Sequence, residues 1–167
     1  VPGDPLVIFN AWDAGSARAV AAAGARAIGT GSWSVAAAHG FPDGEKLPLE
    51  LAIANLERIV RAVDLPVSID LEAGYGARSE DVDRSVTCAL RAGTVGINLE
   101  DGITDETGIY GIDDQVARIR AARAAADRLS VPLFINARTD FFLQARPEAH
   151  DAGIVLEVKQ RAAAYAQ

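Results

Sequence analysis

Residues 66–72 read Pro-Val-Ser-Ile-Asp-Leu-Glu, a mostly apolar run that begins at a proline and ends in acidic residues. Comparable β-branched runs recur along the chain, and an alanine-rich, helix-forming stretch follows each of them. Strands that alternate with helices in this way build a parallel sheet. We therefore predict five β/α units, with strands over residues 6–12, 27–32, 66–72, 95–100 and 132–138.

The helices of these units are predicted over residues 14–23, 49–63, 79–92, 113–129 and 154–166, where apolar residues recur three and four positions apart. Asp13 and Ser79 suit helix N-caps, and Gly24 and Gly93 lie where a helix would end. The nearly continuous apolar strands predict burial on both faces of the sheet. Because no linker or low-complexity tract interrupts the pattern, we predict a single domain over residues 1–167.

The amino-acid composition argues against several classes of binding partner. Half of the 167 residues are apolar, which is enough for a core, and the net charge is −7, with 23 acidic against 16 basic residues. This balance argues against nucleic acid or an anionic membrane as the main partner. No apolar run reaches the roughly 18 residues needed to span a bilayer. The single Cys88 excludes a disulfide within the chain, is interpreted as a buried structural thiol, and is consistent with a cytoplasmic location.

Acidic side chains gather where the predicted strands end. Asp70 and Glu72 are two residues apart on one strand, so both should point to the same side of the sheet, and Glu100 ends the next strand. Adjacent carboxylates repel each other unless a cation lies among them. An all-oxygen set without His or Cys favours Mg²⁺ or Mn²⁺, so we predict a metal site at these three residues. Alternatively, each acid caps a helix or pairs with an arginine.

Two further features at the same edge suit anions. Arg138 ends the fifth strand, where its guanidinium can hold a carboxylate or phosphonate through two hydrogen bonds. The alternative for Arg138 is a structural salt bridge to Asp140 or Glu100. Gly31 and Ser32 follow the second strand and offer N–H groups and a hydroxyl to an anion.

Several other chemistries are disfavoured. Residues 29–34 lack the third glycine of a dinucleotide-binding turn, so no nicotinamide cofactor is predicted. A Schiff-base aldolase needs a lysine at a strand end, whereas Lys46 is in a predicted loop and Lys159 on the last helix. A metal-dependent aldolase is a weaker alternative, because such enzymes bring histidines to the metal and neither His39 nor His150 ends a strand.

Five motifs, taken in order, resemble the isocitrate lyase and phosphoenolpyruvate mutase superfamily: residues 9–13 (FNAWD), 41–44 (FPDG), 70–76 (DLEAGYG), 98–101 (NLED) and 136–140 (NARTD). The resemblance implies a TIM-type (β/α)8 barrel, of which this chain covers about the first five β/α units. It also implies Mg²⁺ bound directly by Asp70 and mostly through water by Glu72, Glu100 and Asp43.

The resemblance further implies a lyase or mutase that cleaves or transfers at a C–C or P–C bond of a small 2-oxo acid through a metal-stabilised enolate. The substrate carboxylate is expected near Gly31, Ser32 and Trp33, and the group that is cleaved or transferred is expected at Arg138. Arg138 and Asp43 are expected to be the catalytic residues. Relatives of this kind imply a homo-oligomer, either a dimer or a tetramer.

Two departures from the superfamily pattern matter. Isocitrate and methylisocitrate lyases carry a Lys-Lys-Cys-Gly-His loop after the fourth strand, but residues 102–111 read GITDETGIYG, so true isocitrate lyase activity is not expected. The activities left open are those of a C–P mutase, a phosphonate hydrolase or a 2-oxo acid decarboxylase.

The second departure is length: the chain ends after five units, so we expect it to be part of a longer protein. The alternative function is a catalytically silent relative or fragment that binds a small carboxylate or a partner subunit.

Overall fold

The computed structural model describes residues 3–104 and 108–167. At its centre is a parallel sheet of five strands in the order β1-β2-β3-β4-β5, each paired with the strand that precedes it in the chain. The strands are β1 (Phe9–Ala11), β2 (Ile28–Thr30), β3 (Val67–Asp70), β4 (Gly96–Glu100) and β5 (Phe134–Arg138). All five lie inside the predicted ranges, and the α/β class is confirmed.

The helices are α1 (Ala14–Ala22), α2 (Ser32–Ala38), α3 (Leu49–Ala62), α4 (Ser79–Arg91), α5 (Ile112–Arg128), α6 (Phe141–Gln144) and α7 (Ala152–Tyr165), with a 3-10 turn at Pro147–Ala149. The long helices pack in sequence, α1 on α3, α3 on α4, α4 on α5 and α5 on α7. They therefore form one layer. Sequential strand order with a single helical layer is the arrangement of a β/α-barrel wall, whereas a doubly wound sheet reverses its strand order.

The two faces of the central strands differ sharply. In β3 and β4, buried and partly exposed residues alternate, because successive side chains of a pleated strand point to opposite faces. The buried residues Val67, Ile69, Ile97 and Leu99 belong to the main hydrophobic core. The predicted burial of both faces is therefore wrong for this part of the sheet: the face opposite the core carries Ser68, Asp70, Asn98 and Glu100.

The outer strands are more exposed than the strands between them. Within the described residues, β1 and β5 each pair with a single strand, and Phe9 and Phe134 keep 56% and 63% of their surface exposed. Among the described helices, none has both the length and the apolar character that a bilayer crossing requires.

One predicted cap is confirmed and one is wrong. Asp13 caps α1: its Oδ1 accepts a hydrogen bond from the Ser16 N–H at 2.7 Å, while the Asp13 N–H donates to Ser16 Oγ at 3.1 Å. Ser79 is already the first residue of α4, and Arg78 holds the cap position. Cys88 on α4, interpreted as a buried structural thiol, is only partly buried.

Arg118 on α5 anchors the loop that follows β3. Its side chain is almost fully buried, with 1% of the residue's surface exposed. Nη1 donates hydrogen bonds to the carbonyl oxygens of Gly76 (2.8 Å) and Ala77 (2.6 Å), and Nη2 donates to that of Ala73. The guanidinium also lies over the Tyr110 ring, 4.1 Å from its centre. The helical layer thus fixes the backbone of residues 73–77 from inside the protein.

We expect Arg118→Ala to lower the free energy of unfolding by about 3 kcal/mol, because the buried Ala73 carbonyl would lose its donor at a cost of about 1–3 kcal/mol, and the contacts with the Gly76 and Ala77 carbonyls and the Tyr110 ring would be lost as well. Urea unfolding measures this loss. Arg120→Ala, at an exposed position of the same helix, is the matched control and should change the free energy by less than about 0.5 kcal/mol. Equal losses in the two variants would contradict the anchoring role.

Candidate active site

The residues predicted to form the site lie together. One open cavity of about 490 Å³ at the carboxyl ends of the strands is lined by Gly31, Ser32, Trp33, Asp43, Asp70, Glu72, Glu100 and Arg138, with Asn10, Ser34, Gly44 and Asp140. Every residue predicted for metal binding, substrate binding or catalysis is in this set. The parallel sheet explains the convergence, because the carboxyl ends of its strands share one edge.

A second cavity, of about 220 Å³, adjoins the first. The two share Asp43, Gly44, Glu72, Glu100 and Asp140, and the second is also lined by Lys46, Ala73, Gly102, Ile103, Thr104 and Gln144. The sequence did not predict this compartment, because most of its additional residues come from loops that carry no recognisable motif.

Asp70 is the last residue of β3 and is held by backbone donors. Its Oδ2 accepts a hydrogen bond from the Ser32 N–H and its Oδ1 one from the Glu72 N–H, both at 3.2 Å. The Asp70 N–H in turn donates to Thr30 Oγ1 at 3.0 Å. The carboxylate is therefore fixed in direction before any ligand binds. The Ser32 N–H, which we predicted to hold a substrate anion, is engaged by Asp70 in this structure.

Glu72 reaches the cavity by a different route from the one predicted. Strand β3 ends at Asp70, and Glu72 lies beyond it with a left-handed φ of 51°, so strand alternation does not place its side chain. It is 7% exposed, and its Oε2 accepts a hydrogen bond from the Glu45 N–H at 2.7 Å. Burial, together with the nearby carboxylates of Asp43, Glu45 and Asp70, raises the pKa of Glu72 to about 7.

Glu100 and Arg138 form an ion pair across β4 and β5. Arg138 Nη2 contacts Glu100 Oε1, and Arg138 also donates to Asp140 Oδ1 through Nε (3.1 Å) and Nη2 (3.0 Å). Burial and the carboxylates of Asp140 and Asp70 raise the pKa of Glu100, although Arg138 opposes this shift. The salt bridges that we considered as the alternative for Arg138 are thus present. The guanidinium nevertheless lines the cavity, with 37% of its side chain exposed.

The carboxylates do not form a ready-made metal cage. Within residues 3–104 and 108–167, no group of three or more His, Cys, Asp or Glu side chains is arranged to hold a metal ion. Asp70, Glu72 and Glu100 each have a protein partner in this structure, and these contacts leave further oxygen lone pairs for an ion or its waters. Mg²⁺ commonly keeps several waters and takes only one or two carboxylates directly. The all-oxygen donor set therefore fits a largely hydrated hard cation.

Sequence reasoning missed a buried support behind Arg138. The Asp140 N–H donates to Asp101 Oδ1 at 2.9 Å, and Asp101 Oδ2 accepts from the Tyr165 hydroxyl at 2.7 Å and pairs with Arg161 Nη1 at 3.4 Å. Asp101 is fully buried. Helix α7 thereby helps to position the residue that orients Arg138. Asp101 follows the end of β4 directly and Asp140 lies two residues after the end of β5, and that placement could have identified them.

The chain belongs to the phosphoenolpyruvate phosphomutase family, whose family model matches residues 1–167. This membership confirms the predicted isocitrate lyase/phosphoenolpyruvate mutase superfamily and its TIM-barrel class. A crystal structure from Burkholderia cenocepacia J2315, described as that of a candidate phosphonomutase, superposes with a TM-score of 0.94. That protein is 55% identical, and the match covers 97% of this chain and 64% of the other.

Two curated relatives show how much of a family member is present. An uncharacterised protein of Mycobacterium tuberculosis is 36% identical over 141 residues, which are 84% of this chain and 50% of that protein. The 2-methylisocitrate lyase of Escherichia coli K12 is 29% identical over 174 residues, covering 98% of this chain and 55% of the lyase. The chain thus spans about half the length of these relatives.

The raised pKa of Glu72 predicts that Mg²⁺ binds more tightly at pH 8 than at pH 6. Below its pKa of about 7 this carboxyl group is largely protonated, and it must lose the proton to act as an anionic donor. Calorimetric titration at the two pH values, in buffers of different ionisation enthalpy, measures both the affinity and the protons released.

Glu72→Gln should weaken binding at pH 8 and flatten this pH dependence, because the amide does not titrate. Glu50→Gln, at an exposed position of α3, should behave like the unmodified protein. Equal Mg²⁺ affinity at pH 6 and pH 8 in the unmodified protein would show that Glu72 does not control binding.

Proposed function

We propose that the protein carrying this sequence is a Mg²⁺-dependent lyase or mutase that cleaves or transfers at a C–C or P–C bond of a small 2-oxo acid. The observation that supports this proposal is the convergence of Asp70, Glu72, Glu100 and Arg138 with Asp43 on one open cavity. Carboxylates and a guanidinium at one edge supply both a cation site and an anion site, and a chelating 2-oxo acid substrate needs both.

Asp70 is proposed as the direct ligand of the ion, because its carboxylate ends a strand and is oriented by two backbone N–H groups. Glu72, Glu100 and Asp43 would hold the ion mostly through water. When bound, Mg²⁺ or Mn²⁺ supplies electrophilic stabilisation of the negative charge that develops on the substrate's keto oxygen as the bond breaks.

Arg138 is proposed to bind the group that is cleaved or transferred. Asp140 orients the guanidinium of Arg138 from one side, and the exposed part of the guanidinium faces the cavity. The guanidinium is therefore pre-positioned to bind a carboxylate or phosphonate. The turn at Gly31, Ser32 and Trp33 is proposed to receive the substrate carboxylate through groups other than the Ser32 N–H, which donates to Asp70. Trp33 is 70% exposed and can cover a bound substrate without rearrangement of the core.

Three reactions are consistent with this site: C–P mutation, phosphonate hydrolysis and decarboxylation of a 2-oxo acid. None of them requires the cysteine that isocitrate lyases carry after the fourth strand, and residues 102–111 contain no cysteine. The cytoplasmic location and the assembly into dimers or tetramers remain predictions.

A second candidate function is a catalytically silent relative or fragment that binds a small carboxylate or a partner subunit. It is favoured by the partners that Asp70, Glu72 and Glu100 already have within the protein, since each of these carboxylates contacts a backbone N–H group or Arg138. Calorimetry with Mg²⁺ and oxalate, a mimic of the enolate, separates the two functions. Absence of binding to a folded sample would favour the silent relative.

We expect Asp70→Ala to abolish metal-dependent turnover and to leave the fold intact, because the side chain supports the cavity and not the core. The assay is a panel of oxaloacetate, phosphonopyruvate and 2-methylisocitrate with and without Mg²⁺, alongside circular dichroism. Asp64→Ala, at an exposed position just before β3, is the matched control and should retain activity. Full activity in Asp70→Ala would refute the proposed metal role.

A further inference from the structure

Glu45 lies in the loop between α2 and α3, between Gly44 and Lys46, which both line the second cavity, and no motif in the sequence drew attention to it. Its Oε1 accepts a hydrogen bond from the Tyr75 N–H at 2.6 Å, and its Oε2 accepts one from the Thr104 hydroxyl at 2.9 Å. Its own N–H donates to Glu72 Oε2 at 2.7 Å. One residue thus uses both carboxylate oxygens and its backbone N–H in three separate contacts.

These contacts join three loops at the carboxyl-terminal edge of the sheet. Glu45 belongs to the loop after α2, which also carries Asp43, whereas Tyr75 follows β3 and Thr104 follows β4. From these contacts we propose that Glu45 is a positioning residue, which holds Glu72 and the Asp43 loop in the arrangement that receives Mg²⁺. This inference rests on the proposed function, since it assigns Glu45 to the same metal site.

Backbone strain supports the assignment. Glu45, Glu72 and Tyr75 have φ values of 58°, 51° and 59°, and they are three of the four non-glycine residues with positive φ in the described part of the chain. Such conformations are strained for non-glycine residues and persist where the surrounding contacts impose them. Here the three strained residues are hydrogen-bonded to one another through Glu45. The strain is therefore concentrated in this one contact group.

The loop after β3 is consequently held from two sides. Arg118 binds its carbonyl oxygens at Ala73, Gly76 and Ala77 from the helical layer. The carboxylate of Glu45, from the loop after α2, accepts a hydrogen bond from the Tyr75 N–H of the same loop. The Arg118 contacts stabilise the fold, whereas the Glu45 contacts are made beside the proposed metal ligands. We therefore expect loss of the Glu45 side chain to weaken metal binding more than it weakens the fold.

The test compares variants of the protein that carries this sequence. Glu45→Gly removes both acceptors and also accommodates the left-handed backbone, so it should remain folded. We expect its dissociation constant for Mg²⁺, measured by calorimetry, to rise about tenfold or more, the usual range for loss of a residue that orients metal ligands. Glu45→Gln keeps a carbonyl acceptor and should stay within about threefold of the unmodified protein.

A second measurement needs no metal and no turnover. In the metal-free protein, hydrogen exchange of the Tyr75 amide, followed by NMR, should be several-fold faster in Glu45→Gly, because its acceptor is lost. Thr104→Val removes only the link to the loop after β4, so it should weaken Mg²⁺ binding less and leave the Tyr75 amide unchanged. Thr104→Ser keeps the hydroxyl and serves as its control.

Glu50→Gly separates metal positioning from general stability. Glycine in this exposed first turn of α3 lowers helix stability and should leave Mg²⁺ affinity unchanged. The inference is overturned if Glu45→Gly binds Mg²⁺ within twofold of the unmodified protein, or if its Tyr75 amide exchanges at the unmodified rate. An unmodified protein that binds Mg²⁺ but converts no substrate overturns only the proposed function, and one that binds no Mg²⁺ overturns both.

Discussion

Repulsion among carboxylates at one edge of the sheet is the constraint on which the rest of the site depends. Asp70, Glu72 and Glu100 line the same cavity, and burial makes their negative charge costly, as the raised pKa values of Glu72 and Glu100 show. Local contacts offset this cost: Asp70 and Glu72 accept hydrogen bonds from backbone N–H groups, and Glu100 pairs with Arg138. A bound divalent cation would add the opposite charge that these contacts supply only in part.

Rigid elements on the helical side support these arrangements. Arg118 on α5 fixes the loop after β3, and Arg161 and Tyr165 on α7 hold Asp101 behind Asp140. Each support is a buried hydrogen-bonded group that would be costly to leave unpaired. Helices α5 and α7 thus help to orient the site residues, although both helices come later in the chain than the strands whose ends carry most of those residues.

Local patterns explain why much of the fold was predictable. The strand ranges, the order of the units and the Asp13 cap follow from periodicity and from interactions within three or four residues. The predictions that failed needed longer-range information. Burial was overestimated because pleating sends Ser68 and Asp70 to the face opposite the core, and Glu72 lies beyond the strand that was expected to carry it.

The sequence by itself determined that five β/α units follow one another and that acidic residues and Arg138 stand at strand ends, without a suitably placed lysine, histidine or cysteine. Only the tertiary structure decided which partner each group takes. Glu45 contacts Glu72, Tyr75 and Thr104, which lie 27, 30 and 59 positions further along the chain. No local pattern encodes such separations. Secondary structure depends on neighbouring residues, whereas hydrogen bonds between loops form only after the packed sheet and helices have brought distant segments together.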